Sequence, residues 1–155
     1  MKKQRLWPYA AFLLLTAAAG GLGALVVNAG MPAYQALNKP FYTPPDVVFP
    51  IAWSILYVLM AVSAARVWNT HSRQREQAIR VFCVQLVMNV LWNVWFFALH
   101  WFWFAFLWLL ALIAVIWHMI QVFSRIDAPA GRLQFPYLLW TCFAAALNLG
   151  VALLN

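Results

Sequence analysis

The most restrictive feature of the sequence is a set of apolar runs long enough to cross a lipid bilayer. Apart from Arg80 at its start, the stretch from Ile79 to Phe123 is interrupted only by uncharged polar residues and histidine. At about 1.5 Å per residue it is roughly twice as long as a bilayer core is thick, so it must fold back on itself. We place the turn near His100, although neither Gly nor Pro marks it. This stretch alone predicts two membrane-spanning helices.

Three further apolar runs are each long enough for one span, so the sequence predicts five spans. Each run is continuously apolar rather than alternating, which favours helices over the strands of a membrane barrel. Only 8% of the residues are charged, whereas a soluble domain has about a quarter. We therefore predict an all-α integral membrane protein, a single five-transmembrane-helix bundle over residues 1–155, with spans at about 6–28, 47–67, 79–99, 101–123 and 133–153 and a lid loop at 29–46.

The basic residues predict the orientation of the bundle. With five spans, the N-terminus and the second and fourth loops share one side, where nine of the ten lysines and arginines fall; only Lys39 lies opposite. The positive-inside rule therefore predicts a cytoplasmic N-terminus and a C-terminus outside. Because these cations cluster at span ends, we expect no nucleic-acid partner. The alternative of a cleaved signal peptide is less favoured, since the first apolar run continues to Val27.

Several kinds of chemistry lack their residues. The three acidic residues all lie outside the spans, so an ion-coupled transporter would lack its intramembrane carboxylate. No cluster of Cys, His and acidic residues has the spacing of a metal site, and the sequence shows no set of residues arranged for hydrolytic catalysis. We interpret His118, in mid-span, as a packed or interhelical hydrogen-bonding residue. Cys83 and Cys142 lie at different depths, so we expect inert core thiols rather than a disulfide.

Tryptophan and a few mid-span amides are the unusual features that remain. The chain has ten tryptophans, and those near span ends suit the aromatic belt of a membrane protein. Trp53, Trp92 and Trp140 lie deeper, roughly 9 to 20 Å from the outer ends of their spans. Several buried indoles together form a flat, apolar wall.

Helical spacing places amides on the same faces as these indoles. The shared faces are Gln85, Asn89 and Trp92 on the third helix, Trp53 and Tyr57 on the second, and Trp140, Ala144 and Asn148 on the fifth. These side chains either line one cavity or serve as interhelical hydrogen-bonding groups, and both alternatives stay open. Ala19 and Gly23 have the small-xxx-small spacing of either a dimer face or an intramolecular contact.

The loop before the second span has the composition of a lid. Its segment from Asn38 to Pro45 contains three prolines and two aromatic residues. Proline reduces the freedom of the backbone, so such a segment can stay ordered over a cavity. The alternative is a rigid spacer that starts the second helix, whose first turn Phe49-Pro50 would fit.

These segments resemble the translocator protein family, whose bacterial members are called tryptophan-rich sensory proteins and which was once known as the peripheral benzodiazepine receptors. The matching segments are Leu37-Asn38-Lys39-Pro40 with Thr43-Pro44-Pro45, Phe49-Pro50-Ile51-Ala52-Trp53 with Tyr57, Gln85-Leu86 with Asn89 and Trp92, and Pro136-Tyr137-Leu138-Leu139-Trp140 with Ala144, Leu147 and Asn148. Two departures stand out. Tyr42 replaces the usual Trp of the lid, and the Tyr and basic residue of the animal cholesterol motif are missing before Asn155, which puts specific cholesterol binding in doubt.

The resemblance implies a five-helix bundle in the bacterial cell membrane, commonly a homodimer, that holds one hydrophobic ligand per protomer under the first loop. Family ligands are tetrapyrroles such as protoporphyrin IX and haem, benzodiazepine-like compounds and, in animal members, sterols; no cofactor is required and no metal site is implied. The ligand-binding residues that it implies are Tyr42, Pro44, Pro45, Trp53, Tyr57, Asn89, Trp92, Trp140, Ala144, Leu147 and Asn148. Trp53 and Trp140 match the pair tied to light-dependent porphyrin degradation.

Three functions are therefore compared. The principal hypothesis is a membrane binding and sensory protein for tetrapyrroles and similar hydrophobic ligands. The second is an enzyme that degrades porphyrin with light and oxygen, in which Trp53 and Trp140 act as catalytic redox partners. The third is a membrane scaffold or transport accessory protein whose dimer face matters more than its cavity.

Overall fold

The computed structural model describes residues 5–155, so Lys2 and Lys3 lie outside the described residues. The helices are α1 (Trp7–Gln35), α2 (Val48–Trp68), α3 (Arg75–Asn93), α4 (Phe102–Ile126), α5 (Ala128–Arg132) and α6 (Phe135–Leu154), and a π-helical turn (Val94–Ala98) extends α3. Over this range five helical segments are long and apolar enough to cross a membrane: α1, α2, α3 with the π-helical turn, α4, and α5 with α6. The prediction of an all-α bundle with five spans is confirmed.

The first helix is longer than the sequence predicts. It continues through Pro32 and ends at Gln35, whereas we predicted a span that ends at about 28. Packing explains this result, because α1 lies tightly on the π-helical turn: a Cβ added at Gly30 would lie 2.5 Å from the carbonyl oxygen of Phe97. The Tyr34 ring packs on the same turn, 5.4 Å from the Phe97 ring. These contacts outweigh the one hydrogen bond that proline removes, so the lid loop covers 36–47 instead of 29–46.

The turn between the third and fourth spans falls at His100, as predicted. His100 has a φ of 56°, in the left-handed region. The N–H of Trp101 donates to the carbonyl of Trp95, six residues earlier, at 2.9 Å. This bond closes a helix end of the kind that normally has glycine at the left-handed position. Because the turn is this short, α3 and α4 run antiparallel and pack side by side.

The bundle has two chemically different ends. We call one the basic end, because it holds Arg5, Arg66, Arg73, Arg75, Arg125 and Arg132. An ion pair ties it together: Arg66 Nε donates to Asp127 Oδ2 at 2.6 Å and Arg66 Nη2 to Asp127 Oδ1 at 3.2 Å. Asp127 also accepts from the N–H of Ala130, whose carbonyl accepts from Ser63. We call the opposite end, with loop 36–47 and the His100 turn, the lid end.

The half of the bundle nearest the basic end is densely packed. Phe82 is fully buried and stacks on Phe123 with ring centroids 6.5 Å apart, while Phe12 meets it edge-on at 5.7 Å. Ala61, Ala64 and Ala65 of α2 have no exposed surface. Such small side chains let helix backbones approach closely, so this half has a continuous core.

Three polar or reactive side chains lie on the outer surface instead of inside. Cys83 and Cys142 are free, as expected, but both are exposed, so the prediction of core thiols is wrong. His118 is exposed as well, so it is not packed between helices as predicted. The reason is that these spans are apolar on all sides, which leaves no hydrophobic stripe in the sequence to identify the inward face.

Candidate functional site

A cavity of about 610 Å³ occupies the half of the bundle nearest the lid end. Its walls come from α1, α2, α3 with the π-helical turn, and α6, and Thr43 and Asp46 of the lid loop contribute to its roof. Small-molecule sites in proteins usually measure about 300–1,000 Å³. The cavity therefore has the size of a binding site for one ligand of moderate mass.

Three tryptophans, Trp53, Trp92 and Trp140, line this cavity. The rings of Trp53 and Trp140 are perpendicular, with centroids 6.5 Å apart, and Trp53 stacks on Tyr57 at 5.7 Å. The Nε1 atom of Trp140 is buried and has no hydrogen-bond partner within residues 5–155. The site thus presents flat, apolar surfaces, which suit a planar, mainly hydrophobic molecule.

Asn148 both lines the cavity and joins neighbouring elements. Its Oδ1 accepts from Trp92 Nε1 at 3.1 Å, and its Nδ2 donates to the carbonyl of Phe102 at 2.8 Å. Because Trp92 lies on α3 and Phe102 begins α4, one amide on α6 links three helices. The Trp92 ring is therefore held in a fixed orientation in the wall.

Asn89 lies behind the cavity wall. Its Oδ1 accepts from the hydroxyl of Tyr57 at 3.1 Å, and its Nδ2 donates to the hydroxyl of Tyr137 at 2.9 Å. Asn89 is therefore an interhelical hydrogen-bonding group, whereas Asn148 both joins helices and lines the cavity. Gln85 is fully buried, and its amide has no hydrogen-bond partner among the described residues.

The lid loop is fastened to α6. The hydroxyl of Tyr42 donates to the carbonyl of Ala146 at 2.9 Å. Pro40 packs on Gly150, where an added Cβ would lie 2.7 Å from the proline ring. Tyr42 therefore lies outside the cavity wall because its side chain is directed to the backbone of α6.

Two further contacts hold the beginning of the loop. The Asn155 side chain accepts from the backbone N–H of Asn38 at 3.1 Å and donates to its carbonyl at 2.8 Å. Next to it, Lys39 Nζ lies 4.6 Å from the centre of the Tyr34 ring, a cation–π distance. The loop is thus ordered by contacts on both sides, as a lid requires.

Seven of the eleven predicted ligand residues come together in the cavity wall: Trp53, Tyr57, Trp92, Trp140, Ala144, Leu147 and Asn148. The other four, Tyr42, Pro44, Pro45 and Asn89, do not line it. Asn89 is one layer behind, and the lid contributes Thr43 and Asp46 instead of its prolines. Helical spacing grouped all of these helical positions except Leu147, which the resemblance alone implied, whereas loop positions have no periodicity from which to infer their direction.

The sequence reasoning missed the wall formed by α1. Gly20, Gly21 and Gly23 all line the cavity. An added Cβ would lie 2.9 Å from the Tyr57 ring at Gly20 and 3.0 Å from Asn93 Nδ2 at Gly23, but would meet nothing within 4 Å at Gly21. Gly20 and Gly23 therefore make close contacts within the protein, which is one of the two roles considered for the small residues of this helix. The run of small residues was the available signal, because small side chains leave volume beside a helix.

The cavity reaches the outside of the bundle between α1 and α2. Several of its lining residues are also exposed, namely Ala17, Gly21 and Ala24 on α1 and Ser54 and Val58 on α2. All of them lie within spans, so this opening faces lipid tails instead of water. We call it the open flank.

Comparisons with known proteins agree with the fold. The sequence model of the TspO/MBR family matches residues 11–154. Protein CrtK of Rhodobacter capsulatus is 35% identical over 150 residues, which cover 95% of this chain and 92% of that protein. The tryptophan-rich sensory protein of Cereibacter sphaeroides is 36% identical over 126 residues, 79% of this chain and 76% of that one. The translocator protein of Bos taurus is 30% identical over 151 residues, 91% and 86% of the two chains.

Proposed function

Since the chain belongs to the TspO/MBR family, we propose that it is a membrane binding and sensory protein for a flat, hydrophobic tetrapyrrole such as protoporphyrin IX or haem. The observation that carries this proposal is the cavity of about 610 Å³ with Trp53, Trp92 and Trp140 in its wall. A macrocycle stacked on these indoles would bury both of its apolar faces. Benzodiazepine-like compounds and sterols are further candidates that share this hydrophobic character.

The polar groups at the roof suggest how such a ligand would be oriented. Lys39 lies over the ring of Tyr34, and Tyr34 lines the cavity. Propionate groups of a tetrapyrrole would be attracted to this cation. Asp46, also in the roof, would repel them, so the proposed orientation directs the propionates to the Lys39 side of the lid.

The open flank supports a route from the lipid. A hydrophobic ligand dissolved among lipid tails would meet Gly21 and Ala24 before it reached the indoles. This route needs no opening of the lid, which is fastened by Tyr42 and Asn155. In this proposal the lid retains the ligand and the flank admits it.

A second candidate function is light-dependent porphyrin degradation, favoured by the proximity of Trp53 to Trp140, 6.5 Å between ring centroids. Light would excite a bound porphyrin, which would take an electron from an adjacent indole. The porphyrin would pass this electron to dioxygen, forming superoxide, and the oxidised indole would regain an electron from the macrocycle. Superoxide would then combine with the resulting porphyrin radical cation, so that dioxygen is the net oxidant and the macrocycle is the net reductant. The two tryptophans would be redox partners in this reaction.

We also propose that the basic end faces the cytoplasm of a bacterial cell and that the protein forms homodimers. The arginines of the described residues lie at or near the basic end, whereas Lys39 is at the lid end. The positive-inside rule places the richer side in the cytoplasm. A reporter enzyme that works only outside the cytoplasm should therefore be active when it is fused after Asn155.

The deciding experiment is a titration with protoporphyrin IX in nanodiscs, first in the dark and then under illumination. Wild type, Trp53→Phe and Trp140→Phe would be compared with Trp103→Phe, an exposed tryptophan outside the cavity. Saturable quenching of tryptophan fluorescence with an unchanged porphyrin spectrum supports the binding protein. Conversion to a new absorbing product in light, lost in the two cavity variants but kept in Trp103→Phe, supports the enzyme. Absence of saturable quenching would contradict both and favour a scaffold.

A further inference from the structure

A second, shallow groove lies on the outer surface of the bundle between α3 and α4. It is lined by Val81, Val84, Ala114, Val115 and His118. None of these residues lines the lid-end cavity, so the groove is a separate feature. His118 is its one polar lining residue, and it is exposed within a membrane span. A polar side chain facing hydrocarbon is costly and marks a functional position.

Exposed cations and an amide extend this groove toward the basic end. Arg80 is exposed and lies one turn before Val84 on the same face of α3. Because α3 begins at the basic end and Val81 lines the groove with His118, Arg80 lies at the end of the groove nearer the basic end. On α4, Gln121 and Arg125 are exposed one and two turns beyond His118. The face therefore presents two guanidinium groups, an imidazole and an amide.

Within the part of the chain that the structure describes, these cations make no ion pair. Among residues 5–155 the one ion pair joins Arg66 to Asp127. Glu76, four residues before Arg80 and also exposed, makes no ion pair with it. The groove thus combines an apolar floor at membrane depth with unpaired positive charge at its basic end. A molecule that fits this groove should have an anionic group joined to a hydrocarbon chain.

A second copy of the chain fits this face poorly. A two-fold interface is self-complementary, so it would bring Arg80 and Arg125 of one copy close to the same arginines of the other. Like charges placed together across an interface are unfavourable. An anionic lipid has no such conflict, and basic grooves between transmembrane helices are known to bind such headgroups.

We propose that this groove is a binding site for an anionic phospholipid of the leaflet at the basic end. The phosphate would be held by Arg80 and Arg125, with Gln121 and His118 as hydrogen-bonding partners on its membrane side. An acyl chain would lie along Val84 and Ala114. The site is independent of the tetrapyrrole cavity, so it holds whichever ligand that cavity takes.

The test measures lipid selectivity by native mass spectrometry, with the protein equilibrated in equal amounts of phosphatidylglycerol and phosphatidylcholine. Wild type should retain phosphatidylglycerol preferentially. Arg80→Gln and Arg125→Gln should each lower this preference about fivefold, the factor that one basic residue near an anionic surface contributes. Arg132→Gln is the matched control, because it removes one exposed arginine at the same end but on α5. An equal loss in the control, or no loss at Arg80, would overturn the proposal.

Two further measurements exclude the alternatives. Soluble glycerol phosphate should not displace the retained lipid; displacement would show that the groove binds a free phosphate ester instead. Cys83 lies on the same exposed face of α3, one turn after Arg80. In a Cys142→Ser background, Cys83 should stay open to maleimide labelling and form no disulfide between copies under oxidation. Efficient Cys83–Cys83 cross-linking would show that a second copy covers the groove and would overturn the lipid assignment.

Discussion

The two halves of the bundle use the same helices for opposite purposes. Near the basic end, Phe12, Phe82 and Phe123 interlock in a densely packed core. Near the lid end, Trp53 and Trp140 stand at the edge of a cavity of about 610 Å³. Both halves are rich in aromatic residues, so aromatic content alone does not decide whether a membrane bundle is solid or hollow.

The position of the small residues decides whether a half of the bundle is solid or hollow. Ala61, Ala64 and Ala65 of α2 are fully buried, so neighbouring helices close upon them. Gly21 of α1 lies beside the cavity, and no side chain refills the volume that it leaves, since an added Cβ would meet nothing within 4 Å. Small residues therefore tighten one half and hollow out the other, and the difference lies in whether a neighbour moves into the space.

The largest difference between the halves should appear when one aromatic ring is removed from each of them. Phe82→Ala should lower the free energy of unfolding by about 3–5 kcal/mol, because a fully buried ring leaves a void that the packed half cannot close. Phe49→Ala, at the cavity wall, should cost about 1 kcal/mol or less, since its ring already borders empty volume. Unfolding in mixed detergent and SDS micelles would measure both. Equal losses would show that the two halves are packed alike.

The ion pair at the basic end should give the next largest effect. Arg66→Ala leaves the Asp127 carboxylate with one hydrogen bond fewer at each oxygen, and hydrogen bonds to charged groups contribute about 1.5–3 kcal/mol. We expect a loss near the lower value, because the side chains are 30% and 20% exposed. Protoporphyrin affinity should not change, since the pair is at the other end. A double-variant cycle with Asp127→Ala separates the pair from its individual members.

A matched pair of glycines tests the hollow half at single-residue resolution. Gly20→Ala brings a Cβ to 2.9 Å from the Tyr57 ring, which must shift and weaken its bond to Asn89. Gly21→Ala meets nothing and gains helix propensity, so it should stabilise by up to about 1 kcal/mol while Gly20→Ala destabilises by a similar amount. Thermal unfolding in detergent would compare them. The same sign for both would contradict the packing described for α1.

The smallest effect should be at the lid. Tyr42→Phe removes the hydroxyl that donates to the Ala146 carbonyl, an exposed bond that should contribute about 0.5 kcal/mol. The lid would loosen, and protoporphyrin dissociation should become about two- to threefold faster. Stopped-flow fluorescence would measure the rate, with Tyr9→Phe near the basic end as the control. An unchanged rate would indicate that the ligand leaves by the open flank alone.

Sequence reasoning predicted the helices from the length of the apolar runs, and the 3.6-residue period placed the indoles on shared faces. Whether those faces line a cavity was left open, and the resemblance alone implied that they do. Trp53, Trp92 and Trp140 share their faces with the residues that the structure places beside them. The end of α1 could not be predicted, since contacts of Gly30 and Tyr34 with the π-helical turn carry the helix through Pro32. The direction of Tyr42 was also missed, because a loop side chain follows its hydrogen-bond partner instead of a period.

The outward positions of His118 and Cys83 could not be predicted for a different reason. A soluble protein identifies its inner face by polarity, but a lipid-exposed face is as apolar as a core. Only the three-dimensional structure separates the two.

The π-helical turn from Val94 to Ala98 has a consequence for comparing relatives. A π-helical turn corresponds to one residue inserted into an α-helix, and this one places Phe96 and Phe97 in the cavity wall. Deleting a single residue would restore the regular helix and rotate the side chains beyond the deletion by about 100°, so the wall would be rebuilt from other residues. A one-residue alignment gap in this segment therefore indicates a relative with a differently shaped cavity, however similar the rest of its chain.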